Sequence, residues 1–254
     1  KKLKKYQQKI LRISKDTIIS NDWKIKSNEK LIIHDGVNIT LKGVYLRILG
    51  GLEILGKQNS KVNVVSPIGE SSTIYIQTKS PVNISHVIFK NLSNKKSHYD
   101  QPAAITFYET PDINISNCEF KSNISGDDYL NFFRCNDANI SNTLFKNTNS
   151  DALDSDFSNI VVSNSVFEYI GNDAIDGSGS EILINNSKFL FCKDKAVSAG
   201  EKSIFEVINC SIINNEIGIT KMRKYAHAVS EYPFPLLFRN KQFKLHKHLF
   251  YCLF

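Results

Sequence analysis

Four aspartates recur in pairs at a fixed lag: Asp151 and Asp154 in one tetrapeptide, Asp173 and Asp176 in the next, 22 residues on. Lys195-Ala196-Val197-Ser198 repeats the design after another 22 residues, and Ile217-Gly218-Ile219-Thr220 continues it weakly. If such repeats stack, Asp151 lies over Asp173 and Asp154 over Asp176. Like charges directly opposite across strands cost a few tenths to about 1 kcal/mol per pair, and Asn or Ser would fill a corner without that cost. Something must offset it: a cation, a raised carboxyl pKa or a neighbouring base. Paired carboxylates supply the oxygen ligands that Ca2+ takes, so Asp151, Asp154, Asp173 and Asp176 are candidate metal ligands. Carboxylates beside a base can also move protons. On that reading Arg134, expected near Asp156, joins Lys195 and Asp173 as candidate catalytic residues, with Tyr108, Asp156 and Asp176 touching substrate. The plain alternative is a set of solvated turn acids with Lys195 as their partner.

The elements that must position these residues are themselves periodic. Phe89, Phe120, Phe145, Phe167, Phe189 and Ile212 fall 31, 25, 22, 22 and 23 residues apart. Ile84, Ile115, Ile140, Val162, Ile184 and Val207 keep the same lags five residues earlier. A period in this range marks a solenoid. Within each unit, short runs such as Val82-Asn83-Ile84-Ser85 and Ile113-Asn114-Ile115-Ser116 alternate apolar and polar, as half-buried strands do. No unit offers the 10–12 residues of 3.6-period pattern that a helical repeat needs. A parallel β-helix therefore fits best, with coils about 4.8 Å apart. The phenylalanines then form an interior stack. Asn117, Asn142, Asn164, Asn186 and Asn209, headed by His86, form a corner column, where Asn tolerates left-handed backbone and its amides can pair along the ladder.

The 22-residue coil, the Asn column and the Phe column resemble right-handed parallel β-helix repeat proteins of the pectin-lyase-like superfamily, over roughly residues 22–220. The resemblance implies an all-β, single-stranded right-handed parallel β-helix of about eight coils, extracellular or on the cell surface. It implies a polysaccharide or glycan partner, with Ca2+-assisted, lyase-like processing in which Arg134 or Lys195 abstracts a proton. A glycoside hydrolase is less well matched: Asn172 replaces one acid of the polygalacturonase pattern and Lys195 stands where its histidine belongs. The alternative function is a structural or adhesive spacer. In such proteins the site is an outer groove flanked by long turns. Two long turns occur here, one around Asn91–Pro102 with His98, Tyr99 and Asp100, the other around Lys121–Tyr129 with Asp127 and Asp128. Outward Tyr75 and Tyr108 are placed to stack on sugar rings.

Charge is unevenly spread. Of the net +7, residues 1–30 carry 10 basic and 3 acidic groups, residues 31–220 carry 15 and 21, and residues 221–254 carry 7 and 1. The repeats are acidic and lack the basic stripe of a nucleic-acid binder. No signal peptide and no apolar run long enough to span a membrane is present. The five cysteines show no metal-binding spacing; Cys118 and Cys210 share a column but lie four coils apart, roughly 19 Å, too far for a disulfide.

The ends differ from the middle. Leu3, Tyr6, Ile10 and Ile13 are spaced 3-4-3, which suits an amphipathic helix capping the first coil, or else residues 1–21 form a basic arm. Residues 22–220 make the β-helix domain, and 221–254 a non-repetitive cap or tail.

Overall fold

The computed structural model describes residues 8–94, 103–123, 125–221 and 227–231. Among them the chain forms 28 strands in three parallel sheets of 10, 9 and 9 strands. Neighbours within a sheet are three strands apart in chain order, so the chain visits the three faces in turn. Nine complete coils result, and the strand His227–Glu231 opens a tenth. Face 1 runs from Lys9–Ile13 to His227–Glu231, face 2 from Thr17–Ile19 to Ser211–Ile213, and face 3 from Trp23–Ile25 to Ile217–Lys221. The all-β, single-stranded parallel solenoid is as the sequence periods require, with one more coil than expected.

The extra coil corrects the N-terminal expectation. Ile10 and Ile13 lie on a strand, Lys9–Ile13, that pairs in parallel with Glu29–His34. The 3-4-3 spacing did not make a helix here because a neighbouring strand satisfies the backbone and Ile13 turns into the core. Leu3 and Tyr6 lie outside the described residues. The boundary at 220 is likewise passed: His227–Glu231 pairs with Ile204–Ile208 at a lag of 23 residues.

Register follows the apolar columns. Phe89, Phe120, Phe145, Phe167 and Phe189 are buried partners on face 2, their rings stacked at 5.0, 4.9, 4.7 and 5.0 Å. On face 1, Ile84, Ile115, Ile140, Val162, Ile184 and Val207 pair in sequence. Corners are made by left-handed residues. His86, Asn117, Asn142, Asn164, Asn186 and Asn209 have φ between 49° and 55°. N–H groups of this column donate to the next coil, as that of Asn117 does to Ser141 at 3.0 Å. The backbone is what this column needs; among the described residues its amides do not bond to one another.

Two further left-handed columns carry no such composition signal. Asn91, Ser122, Asn147, Tyr169, Phe191 and Asn214 sit at φ 56–57°, and Glu109, Arg134 and Phe157 at 45–53°. Directly after these corner residues, buried hydroxyls and thiols cap the neighbouring coil's backbone. Cys118 N–H meets Thr143, Thr143 N–H meets Ser165 and Ser165 N–H meets Ser187, at 3.5, 3.2 and 3.2 Å. A second ladder runs from Cys135 through Ser158 and Ser180 to Ser203. The cysteines are small core residues: burial pushes Cys118 and Cys192 up to about 12 and Cys135 to about 11, leaving inert thiols. Cys252 lies outside the described residues.

Phe145 is enclosed by rings above and below, so Phe145→Ala leaves a cavity that stacked coils cannot collapse. The expected loss is about 3–5 kcal/mol in urea denaturation; a loss under about 1 kcal/mol contradicts a rigid ring stack.

Candidate functional site

The acids come together on face 3 because its strands step outward by three residues and then by two. In Asp151–Asp156, Ala152 and Leu153 are both fully buried, so Asp151, Asp154 and Asp156 are the outward positions. The neighbouring strands repeat the pattern. Asp128 pairs with Asp151, Asn131 with Asp154 and Phe133 with Asp156; on the other side Asp154 pairs with Asp176 and Asp156 with Ser178. Leu130 and Leu153 are partners at a lag of 23 residues, which fixes the register near Arg134.

Three outward columns result. The first reads Asp128, Asp151, Asp173 and Lys195, its last two places set by the Ala152 N–H on the Asp173 carbonyl and the Ala174 N–H on that of Lys195. The second reads Asn131, Asp154, Asp176 and Ser198, the third Tyr108, Phe133, Asp156 and Ser178. Carboxylate oxygens of Asp151, Asp173 and Asp176 lie within 4.8 Å of one another. Asp151 and Asp173 are buried, at 8% and 4% exposed. One oxygen of Asp151 accepts the Asn172 side-chain amide at 2.6 Å and the Asp173 N–H at 2.9 Å. The Asn131 amide donates to Asp154 at 2.8 Å. Asp176 accepts the N–H of Gly177 at 2.9 Å. Asp128 is 3% exposed, and its Oδ2 has no hydrogen-bond partner.

Burial and crowding disfavour ionisation here. Asp128 is held well above the usual carboxylate range by burial and then by Asp154 and Asp151. Asp154 is raised by burial and by Asp156 and Asp176. Asp151 is pushed up to about 6, chiefly by burial. Burial also raises Asp173, against hydrogen bonds from the Lys195 N–H and ammonium. Burial alone would lower Lys195, but Asp194 and Asp173 hold it above its ordinary value.

These positions sort the candidate residues. Asp151, Asp173 and Asp176 converge, and Asp154 lies beside Asp176 one column away, as the 22-residue lag requires. Lys195 reaches them through Asp173, at 3.2 Å. Its firmly held proton is the wrong state for a base that must abstract one. Arg134 does not join them. It sits on a left-handed corner, where its N–H bonds the Asp156 carbonyl at 2.9 Å. Its guanidinium lies 3.6 Å from Glu109 and 5.1 Å over the Phe133 ring. Tyr108 is half-buried in an aromatic file, its ring 6.2 Å from Tyr75 and 5.2 Å from Phe133. Tyr75, expected outward and free for stacking, is only 6% exposed. His98, Tyr99 and Asp100 lie outside the described residues.

Sequence reasoning placed Asp128 in a long turn and passed over Asn131. The signal was present: Asp128-Tyr129-Leu130-Asn131 is the same tetrapeptide design one coil earlier, at a lag of 23 rather than 22 residues.

No family model and no curated protein matches the chain. Among solved structures it is similar to full-length QnrB1, a plasmid-mediated fluoroquinolone resistance protein. The identity is 12% and the TM-score 0.27, over 82% of this chain and 94% of that one. It is similar also to a trypsin-treated variant of QnrB1, at 14% and 0.25, over 78% and 84%. At these scores the likeness carries no function across to this chain. Two expectations are corrected. No family model matches, so membership of the pectin-lyase-like superfamily is not shown. The polysaccharide-binding function and the polysaccharide partner are withdrawn. Tyr75, expected to stack on sugar rings, is buried, and Arg134, expected to abstract a proton, turns to Glu109 instead. Among the described residues no helix is long and apolar enough to cross a membrane.

The cluster makes stability fall with rising pH. A carboxyl whose folded pKa is raised binds a proton more tightly when folded, so its contribution is complete below the unfolded value near 4 and lost as pH climbs through the folded one. Asp151 releases its contribution around pH 6, Asp128 and Asp154 above it. Exposed acids such as Asp16, lowered by its Asn38 hydrogen bonds, act oppositely below about pH 4. In chelator-treated protein, thermal stability should peak near about pH 4–5 and decline toward about pH 9, and Asp128→Asn should flatten the decline. An Asp128→Asn profile that parallels wild type would remove Asp128 from the cause.

Proposed function

We propose that the chain is a β-solenoid binding module whose face 3 carboxylate cluster holds a divalent cation, with Ca2+ the best fit. The observation that carries the reading is the convergence of Asp151, Asp173 and Asp176 within 4.8 Å, beside an Asp128 oxygen that is buried without a partner. Ca2+ takes six to eight oxygen ligands at about 2.3–2.6 Å in flexible geometry. Mg2+ demands near-octahedral geometry at about 2.0–2.1 Å, which a set of rigid strands meets less readily. Asp154 lies one column away and completes the expected ligand set. Asn172 and Asn131 orient the carboxylates by donating to one oxygen of Asp151 and of Asp154. A dication would offset the mutual repulsion of these carboxylates. An extracellular or surface setting, with Ca2+ near millimolar, belongs to the same reading.

Isothermal titration of the whole chain with Ca2+ at about pH 7.5 tests it. The expected Kd is about 10⁻⁴–10⁻³ M, the class of extracellular modules. At about 100 times Kd, Ca2+ should add about 2.7 kcal/mol and raise Tm by roughly 5–10 °C. Asp151→Asn with Asp176→Asn should abolish the heat and the shift together; a double variant that titrates like wild type rejects the site.

A further inference from the structure

Lys195 occupies the fourth place in the column Asp128, Asp151, Asp173, Lys195, so the file of acids ends on a base. Its backbone N–H donates to Asp173 Oδ1 at 2.9 Å, and its ammonium reaches Asp173 Oδ1 and Oδ2 at 3.2 Å each. The same ammonium lies 2.5 Å from Asp194 Oδ2. The Asp173 side chain is 5% exposed, whereas Lys195 and Asp194 are 24% and 35% exposed. Asp173 is therefore claimed twice, as one of three converging carboxylates and as a partner of this lysine. Asp194 offers the ammonium a second seat nearer solvent.

We infer that Lys195 is the built-in counter-ion and charge selector of this site: it holds Asp173 while no ion is bound, then yields that carboxylate to a dication and stays with Asp194. The inference rests on the cation-binding reading above. A backbone N–H remains on Asp173 throughout, so the carboxylate keeps its orientation when the ammonium leaves. Lys195 opposes an incoming ion in proportion to that ion's charge, so it discriminates most strongly against trivalent cations. A lysine that merely packs or props Asp173 would show no such dependence.

The test titrates wild type and Lys195→Met with Ca2+ and with La3+, in the full chain at about pH 7.5. Removing the ammonium should tighten Ca2+ binding at least about tenfold and La3+ binding about thirtyfold, because the logarithms of the two gains scale roughly as 2 to 3. Lys195→Gln, which keeps a donor toward Asp173, should move both affinities the same way. It serves as the probe if Lys195→Met does not fold. Wild type binding Ca2+ while both variants bind equally or more weakly overturns the role of Lys195 and leaves the cation site standing. Equal gains for the two ions likewise overturn charge selection. Absence of Ca2+ and La3+ binding by wild type and variants alike overturns the cation-binding reading, and this inference with it.

Discussion

Vertical registry governs this molecule: each residue meets its own equivalent one coil above and one below, at the spacing of a parallel sheet. Every column inherits its chemistry from that geometry. Phenylalanine on phenylalanine gives rings stacked at 4.7–5.0 Å, which is favourable. Hydroxyl on backbone N–H gives the Ser, Thr and Cys ladders, also favourable because each buried donor is met. Aspartate on aspartate is unfavourable, and face 3 carries the buried cases. The registry that stabilises the core is what forces the acids together, since no strand can slip to separate them without moving its apolar side chains off the core.

The fold was legible because two signals agreed. Period-two alternation within a run says strand, and a constant lag between runs says stack; Phe145, Phe167 and Phe189 carry both. Where either signal weakened, the reading slipped. Residues 9–21 lack the Phe and Asn landmarks, so the first two strands of the first coil read as a helix or an arm. Tyr169, Phe191, Phe157 and Arg134 occupy left-handed corners that composition would assign to Asn or Gly, and the second and third corners went unseen. Of the site, the acids that share a tetrapeptide and a 22-residue lag were legible. Asp128 was not, because one added residue shifted its lag. Arg134 shows a different limit: proximity in the column was right, yet a left-handed backbone aims its side chain at Glu109 instead.

Face 3 also shows why similar architecture does not settle function. Its outward columns pass from an aromatic file, Tyr45, Tyr75, Tyr108 and Phe133, to an acidic cluster within a few coils. The change takes only substitutions at outward positions; the inward partners Ile105, Leu130, Leu153, Ile175 and Val197 stay apolar and buried throughout. Core and surface are thus nearly independent, and function must be argued from the outward columns alone.

The distance along the chain from Phe89 to Phe120 is 31 residues, against 22 from Phe145 to Phe167, yet the two ring pairs sit at nearly the same separation, 5.0 and 4.7 Å. A coil can therefore grow by insertion without its neighbours sensing it, provided the added length loops out at a corner. Such a scaffold can try out new surface loops one at a time, retaining or discarding each, while the cylinder behind them stays the same.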